Sequence, residues 1–359
     1  MKTKLVYVLT CAPEQHYIEQ ALISVFSARH WNPDSYIVLI VDDLTDRLLV
    51  GKRLEMLDYV SEKIVVPFED ETLSPMYRSR WIKTSVRQLV KGRYLFIDCD
   101  TIVSAPLDSV DQLEMEVGAV PDALIPVRDY SKSMFAPIDD RAKMVGYDLN
   151  NEEYHFNSGV MLVGENEQSY KLYELWHSYW LTHVEEKLLA DQPTLARANV
   201  EMNHIIQPID VRYNCIVYTQ NVYTREAKIL HISSYRNPSF IFSDKVLRYV
   251  QENGLKNEWL IYTILNPCST FLPFDYEVLH SNRKQRRAWR NEIAFSSKGY
   301  GDVIDSSFED FPMQSRFRWV VVGLFRVKWN RLSARLWMLW KRMHVWSHRA
   351  MIKDNVCRK

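Results

Sequence analysis

RYLFIDCDTIVSAPL, residues 93 to 107, drives an apolar tetrad, Tyr94-Leu95-Phe96-Ile97, straight into Asp98-Cys99-Asp100. A short apolar run bounded by polar residues reads as a buried strand, so the two carboxylates stand at its carboxyl end. LVYVLT (from Leu5) and YIVLIVDD (ending at Asp42-Asp43) have the same character, and KIVVPF is a shorter version. Between them, QHYIEQALISVFSARH spaces Ile18, Leu22, Val25 and Phe26 as one helical face. LTDRLLVGKRLEMLDYV is read as a helix, and MYRSRWIKTSVRQLVKG as another that closes on Gly92. Buried strands alternating with helices predict an α/β fold, a mostly parallel sheet with helices on both faces. Ligands of such sheets bind beyond the carboxyl ends of the strands, where Asp42, Asp43, Asp98 and Asp100 all fall.

In extended backbone, residues i and i+2 point the same way, so Asp98 and Asp100 can converge on one point. Convergent carboxylates repel unless a cation sits between them. Hard divalent ions with oxygen ligands, Mn²⁺ or Mg²⁺, suit such a pair and share their shell with phosphate oxygens. By spacing alone, D-x-D is equally consistent with a strand ending in an Asx-type turn. KILHIS places a distant imidazole, His231, at another strand end. A lone histidine there is more often structural, and as a ligand it would complete the shell.

The chain has 359 residues, with Lys+Arg and Asp+Glu equal at 45 each, so no global charge draws it to nucleic acid. Charge is instead segregated. Twelve Lys and Arg lie between Arg316 and Lys359, opposed by Asp354 alone. Five scattered cysteines without CxxC spacing predict neither a disulfide framework nor a zinc site, and point to a reducing compartment. The amino-terminal apolar run is short and meets Pro13-Glu14-Gln15 at once, so it reads as a first strand rather than a leader. No run of about 18 apolar residues predicts a membrane span.

Further motifs follow in order. YLFIDCDTIV is joined by FNSGVMLV (Phe156–Val163), ADQPTL (Ala190–Leu195) and LHISSYRNP (Leu230–Pro238), with YRSRWIKTSVRQLV preceding the D-x-D strand. Together they resemble the GT-A glycosyltransferases of family 8, over roughly residues 1–245. The resemblance implies a Rossmann-like GT-A fold for a nucleotide-diphospho-sugar and a divalent metal. It implies Asp98, Asp100 and His231 as metal ligands, with Asp98 also on the ribose. Thr10, Cys11 and Ala12 would hold the nucleoside, and Arg80 and Lys83 would lie near the donor. Asn157 and Ser158 match the donor-sugar segment, and Asp191 and Gln192 the pair at the reacting face. The closing loop departs from the family pattern: HISSYRNPSF lacks the usual Gly and Trp, and Arg236 stands near the place of a phosphate-binding Lys. Arginine can serve a diphosphate as a forked donor.

The implied activity is transfer of a hexose from a nucleotide-diphospho-sugar, expected to be a UDP-sugar, to a glycan or glycolipid acceptor with the anomeric configuration retained. Gln192 is a poor nucleophile, so front-face attack assisted by the leaving phosphate is favoured over a covalent intermediate. Two other readings stay open: an inactive nucleotide-sugar-binding or scaffold protein of surface-glycan assembly, and a nucleotidyltransferase. The second would call for a Gly-rich, basic first loop, which TCAPEQHY is not. Tyr7, Tyr77 and Trp81 are read as core or surface aromatics rather than stacking platforms.

Beyond the catalytic segment, residues 246–312 read as a variable helical and linker region and 313–359 as a basic aromatic tail. In that tail Phe325, Trp329, Leu332, Leu336, Leu339 and Met343 form one apolar helical stripe, flanked by Lys328, Arg331, Arg335 and Arg342. The pattern suits a helix lying on an anionic membrane, and also one packed on the body or a partner chain. The first reading predicts a cytoplasmic enzyme, peripheral on the inner membrane's cytoplasmic face, with a lipid-linked saccharide acceptor as in lipopolysaccharide biosynthesis.

Overall fold

Valine, isoleucine and leucine on both faces of a strand require cover on both sides, and the computed structural model provides it. It describes residues 1–130, 132–185, 188–217, 220, 223–224, 226–232 and 241–267. The strands are β1 (Lys4–Leu9), β2 (Ile37–Asp42), β3 (Glu62–Val66), β4 (Tyr94–Ile97), β5 (Thr101–Val103), β6 (Val117–Pro121), β7 (Phe156–Val163), β8 (Ile206–Pro208), β9 (Cys215–Ile216) and β10 (Ile229–His231). The helices are α1 (Tyr17–Trp31), α2 (Asp43–Asp46), α3 (Pro75–Leu89), α4 (Lys132–Met144), α5 (Glu167–Val184), α6 (Gln192–Glu201), α7 (Asp244–Asn253) and α8 (Glu258–Leu265).

Seven strands form the main sheet in the order β3-β2-β1-β4-β7-β6-β8, and only β7 runs against the rest. Along β1 alternate residues serve two cores. Leu5, Tyr7 and Leu9 pack with Ile18 and Leu22 of α1, and Val6 and Val8 with Ile82 and Val86 of α3 and Trp176 of α5. The expected α/β class, a largely parallel sheet between helical layers, is the one that forms. A small second sheet, β5-β10-β9, hangs at the carboxyl end of β4.

Three local readings are corrected. The long helix expected over LTDRLLVGKRLEMLDYV is the single turn α2 followed by a 3-10 segment, Gly51–Asp58. Helix α2 ends at Asp46 and Val50 is extended, so a helical turn resumes only at Gly51, which takes a left-handed φ of +59. Helix α3 ends at Leu89, because Val90 is already extended, and Gly92 (φ +83) turns the chain into β4 instead of capping the helix. The DQP helix begins at Gln192, with Asp191 at the cap position but no capping bond from its side chain.

The boundary expected at 245 falls on the second residue of α7, and Val246, Leu247 and Val250 of that helix share the core of β1. Residues 268–312, the tail 313–359 and Arg236 lie outside the described residues. Among the described residues no helix is long and apolar enough to cross a membrane, and Cys11, Cys99 and Cys215 are free thiols.

Candidate active site

Sheet direction assembles the site. Strand β4 delivers Asp98 to its carboxyl edge. Antiparallel β7 starts at that same edge, and the Asp98 backbone N–H donates to the Gly159 carbonyl at 2.8 Å. The Val6↔Phe96 register of β1 and β4 puts Thr10, Cys11 and Ala12 just past the same edge. Small-sheet pairing carries His231 in from far along the chain. Thr101 of β5 faces His231 of β10, and the Ile232 N–H donates to the Asp100 carbonyl at 2.8 Å.

The outcome is a compact polar cluster. One ligand atom each from Asp98, Asp100 and His231 can be chosen so that all three lie within 4.8 Å of one another. Ligands about 2.1 Å from a shared ion lie at most roughly 4 Å apart, so small closing movements would bring this set onto one hard divalent ion. Two carboxylates with one imidazole also suit Mn²⁺ or Mg²⁺ chemically. His231 Nε2 stands 3.2 Å from Asp100 Oδ1, and its Nδ1 lies 2.9 Å from Asn214 Oδ1.

Beside this set, α3 supplies cations one turn apart. The buried Lys83 ammonium lies 3.1 Å from both oxygens of Asp98, 3.2 Å from Asp191 Oδ2, and over the Phe96 ring. Arg80 Nε lies 3.0 Å from Asp191 Oδ1. The Ser158 hydroxyl donates to Asp191 Oδ2 at 2.8 Å. That explains the missing cap: the carboxylate is turned toward α3 and β7 while its own carbonyl accepts from Trp176 and Thr194.

Burial and neighbours pull these carboxyls apart. Burial pushes Asp98 up, the charge of Asp100 adds to this, and Lys83 offsets only part. Burial also opposes the Asp100 charge, but the facing His231 outweighs it and holds that carboxyl below the usual range. For Asp191, burial is outweighed by Arg80, Lys83 and the Ser158 hydroxyl, leaving its carboxyl far below the carboxylate range. Burial lowers His231, yet Asp100 and Asp98 raise it more, so the ring keeps its proton above the ordinary histidine value.

Of the other expected residues, Thr10 donates its hydroxyl to the Pro75 carbonyl, which ties the first loop to the start of α3. The Cys11 N–H donates to Thr45 Oγ1, and the Ala12 N–H to Gln15 Oε1. Asn157 faces Asp122 and Asn214, not open solvent. Gln192 is half-buried in the first turn of α6, beside Asp191. Sequence reasoning passed over Asn214 and Asp122. Asp122 follows the β6 strand directly, the same apolar-strand-then-Asp signal that marks Asp42 and Asp98. Asn214 follows a one-turn 3-10 segment, Val211–Tyr213, and carries no sequence signal.

Residues 74–236 match the family described as Glycosyl transferase family 8. This segment is a family 8 glycosyltransferase domain. Its limits take in Arg80, Lys83, the D-x-D pair, Asn157, Ser158, Asp191, Gln192, His231 and Arg236. A search of curated proteins found no match. Among solved structures, the chain is similar to the apo form of the bifunctional glycosyltransferase WbbM, at 13% identity and TM-score 0.46, over 72% of this chain and 50% of that one. It therefore spans half the length of WbbM. It is also similar to the galactosyltransferase LgtC in complex with donor and acceptor sugar analogues (13% identity, TM-score 0.46, 69% and 94% covered). A third is mouse xyloside xylosyltransferase 1 in its apo form (14% identity, TM-score 0.44, 66% and 99% covered).

Proposed function

We propose that the family 8 domain moves a hexose from a UDP-sugar to a glycan or glycolipid acceptor, with retention and with a divalent metal. The observation that supports this best is the convergence of Asp98, Asp100 and His231 next to the Lys83–Asp191–Arg80 cluster at one sheet edge. Asp98, Asp100 and His231 would hold Mn²⁺ or Mg²⁺. When bound, such an ion neutralises the charge that develops on a leaving diphosphate.

The chain's own groups supply the rest. Lys83 and Arg80 concentrate positive charge beside the carboxylates, where it can steady a departing phosphate. Two cations and the Ser158 hydroxyl keep Asp191 ionised, an acceptor fit to hold sugar hydroxyls at the reacting face. Gln192, its neighbour, is an amide and no nucleophile, which supports attack by the acceptor on the donor's own leaving-group face. Arg236, in the loop after His231, is proposed to bind the diphosphate, and Thr10, Cys11 and Ala12 to receive the nucleoside. The basic aromatic tail supports a lipid-linked acceptor at a cytoplasmic membrane face.

Calorimetry with UDP, with and without Mn²⁺, tests the reading, followed by a screen of nucleotide-sugars for slow metal-dependent hydrolysis. Losing a partner that only orients a metal ligand costs roughly 10–100-fold in affinity, so Asp100→Asn should cost at least that in Mn²⁺-dependent UDP binding. UDP affinity indifferent both to Mn²⁺ and to this substitution would end the proposal.

A further inference from the structure

Asn214 is fully buried and sits between two strand ends. It opens the turn into β9, whose Ile216 pairs with His231 of β10. Its side chain forms the middle of a relay. His231 Nδ1 lies 2.9 Å from Asn214 Oδ1, Asn214 Nδ2 donates to Asn157 Oδ1 at 2.9 Å, and Asn157 Nδ2 donates to Asp122 Oδ1 at 2.9 Å. The backbone N–H of Gly159 also donates to Asn157 Oδ1, at 2.8 Å.

An amide's oxygen and nitrogen are told apart by their partners, and here the partners leave no choice. A backbone N–H can only donate, and an ionised carboxylate can only accept. Gly159 therefore fixes the Asn157 oxygen, and Asp122 fixes its nitrogen. Asn214 meets that same oxygen, so it must present its NH₂ there. Its own oxygen is left for His231 Nδ1, which must then carry the hydrogen. Nε2 faces Asp100 Oδ1 at 3.2 Å, so with no cation bound it can carry a second hydrogen toward that carboxylate; losing that hydrogen leaves the neutral Nδ1–H ring with its lone pair on Nε2. Turning the Asn214 amide over would set two oxygens against each other and drive the ring to the opposite tautomer, whose Nε2 cannot ligate.

We infer that Asn214 is a positioning residue: the Asp122–Asn157–Asn214 relay locks His231 in the Nδ1–H tautomer and aims Nε2 at the Asp98–Asp100 pair. The inference rests on the metal-dependent reading of the site, and it ties the metal ligand to the segment proposed to meet the donor sugar. Partners that orient a ligating histidine typically govern metal affinity as well as ring placement.

Two measurements test it on the full chain. With ¹⁵N-histidine labelling and the His231 signal assigned through His231→Gln, long-range ¹H–¹⁵N correlations on metal-free protein, at a pH where the ring is neutral, report the tautomer. Nδ1–H is expected, and Nε2–H overturns the relay. In the second, free Mn²⁺ is followed by EPR in titrations of wild type and Asn214→Ala. Asn214→Ala should bind Mn²⁺ roughly 10–100-fold more weakly. No loss in Asn214→Ala overturns the inference. If Asn214→Ala does not fold, the wild-type tautomer still decides. A wild type that binds no Mn²⁺ would sink the metal reading, while the tautomer would continue to judge the relay by itself.

Discussion

Asp42 and Asp98 both stand at the carboxyl end of a strand in the main sheet, yet their surroundings give them different work. Asp42 is fully buried and saturated. One oxygen accepts from the Thr45 N–H, and the other faces Arg78 Nε at 2.5 Å. Asp98 is only half-buried and shares its space with Asp100 and Lys83. Spacing in the sequence raised both as candidates, and only the identity of the partners separates a structural aspartate from one that faces a ligand. Asn214 was illegible for the same reason, since its role lies in what it touches. Asp191 is the residue whose environment makes the firmest prediction. Its folded carboxyl is depressed, so its ionisation contributes stability that is fully present above the unfolded value of about 3.9 and is lost as pH falls toward the folded one. Removing one partner of a buried ion pair costs roughly 3–5 kcal/mol. The low end is expected here, because Lys83 still faces Asp98. Asp191→Asn should therefore melt well below wild type at pH 7, and the gap should narrow as pH is lowered below about 4. Melting curves across that range check it; a gap that widens toward acid would show that the carboxylate is not held by these cations.

At the scale of elements, the strands apolar on both faces were legible because burial on both sides leaves no polar alternation to obscure them. Helical spacing alone misled over residues 44–60, where extended Val50 and left-handed Gly51 divide the apolar pattern into two short pieces. The small sheet was legible only in part: KILHIS reads as a strand, but nothing in it says that β5 lies opposite, and that pairing is what carries His231 to the carboxylates. Strand β7 makes its own demand on the site. A Cβ added at Gly159 would stand 2.7 Å from His231 Nδ1, closer still to Cε1, and 2.9 Å from Asn157 Oδ1. The strand can approach the imidazole only where it has no side chain. Gly159→Ala should cost about 1–3 kcal/mol of stability through overpacking and should displace the ring. Mn²⁺ affinity should then fall by at least 10-fold, as for other losses of ligand orientation, while the fold persists. EPR titration beside a melting curve separates the two effects. Unchanged Mn²⁺ affinity with lowered stability would mean that the close approach matters for packing alone.

At the scale of the whole molecule, the sheet edge collects residues from one end of the catalytic region to the other, from Thr10 to His231, and the family 8 match begins only at residue 74. The first loop thus reaches the site through the β1–β4 pairing rather than through any motif of that segment. The tail carries a charge pattern of its own. Lys328, Arg331, Arg335 and Arg342 flank an apolar stripe at helical spacing. Each basic residue near an anionic membrane surface is worth about 1 kcal/mol, so replacing all four by glutamine removes about 4 kcal/mol, roughly a thousandfold in partitioning at 1.4 kcal/mol per decade. The full-length quadruple variant should lose co-sedimentation with phosphatidylserine-containing vesicles, and wild type should lose much of its own in 1 M salt, where the screening length falls to about 3 Å. Neutral phosphatidylcholine vesicles should hold wild type weakly, because the apolar stripe remains but the attraction is gone. If the stripe instead packs on the body or a partner chain, wild type will ignore anionic vesicles, and the substitutions will register in melting temperature or oligomeric state.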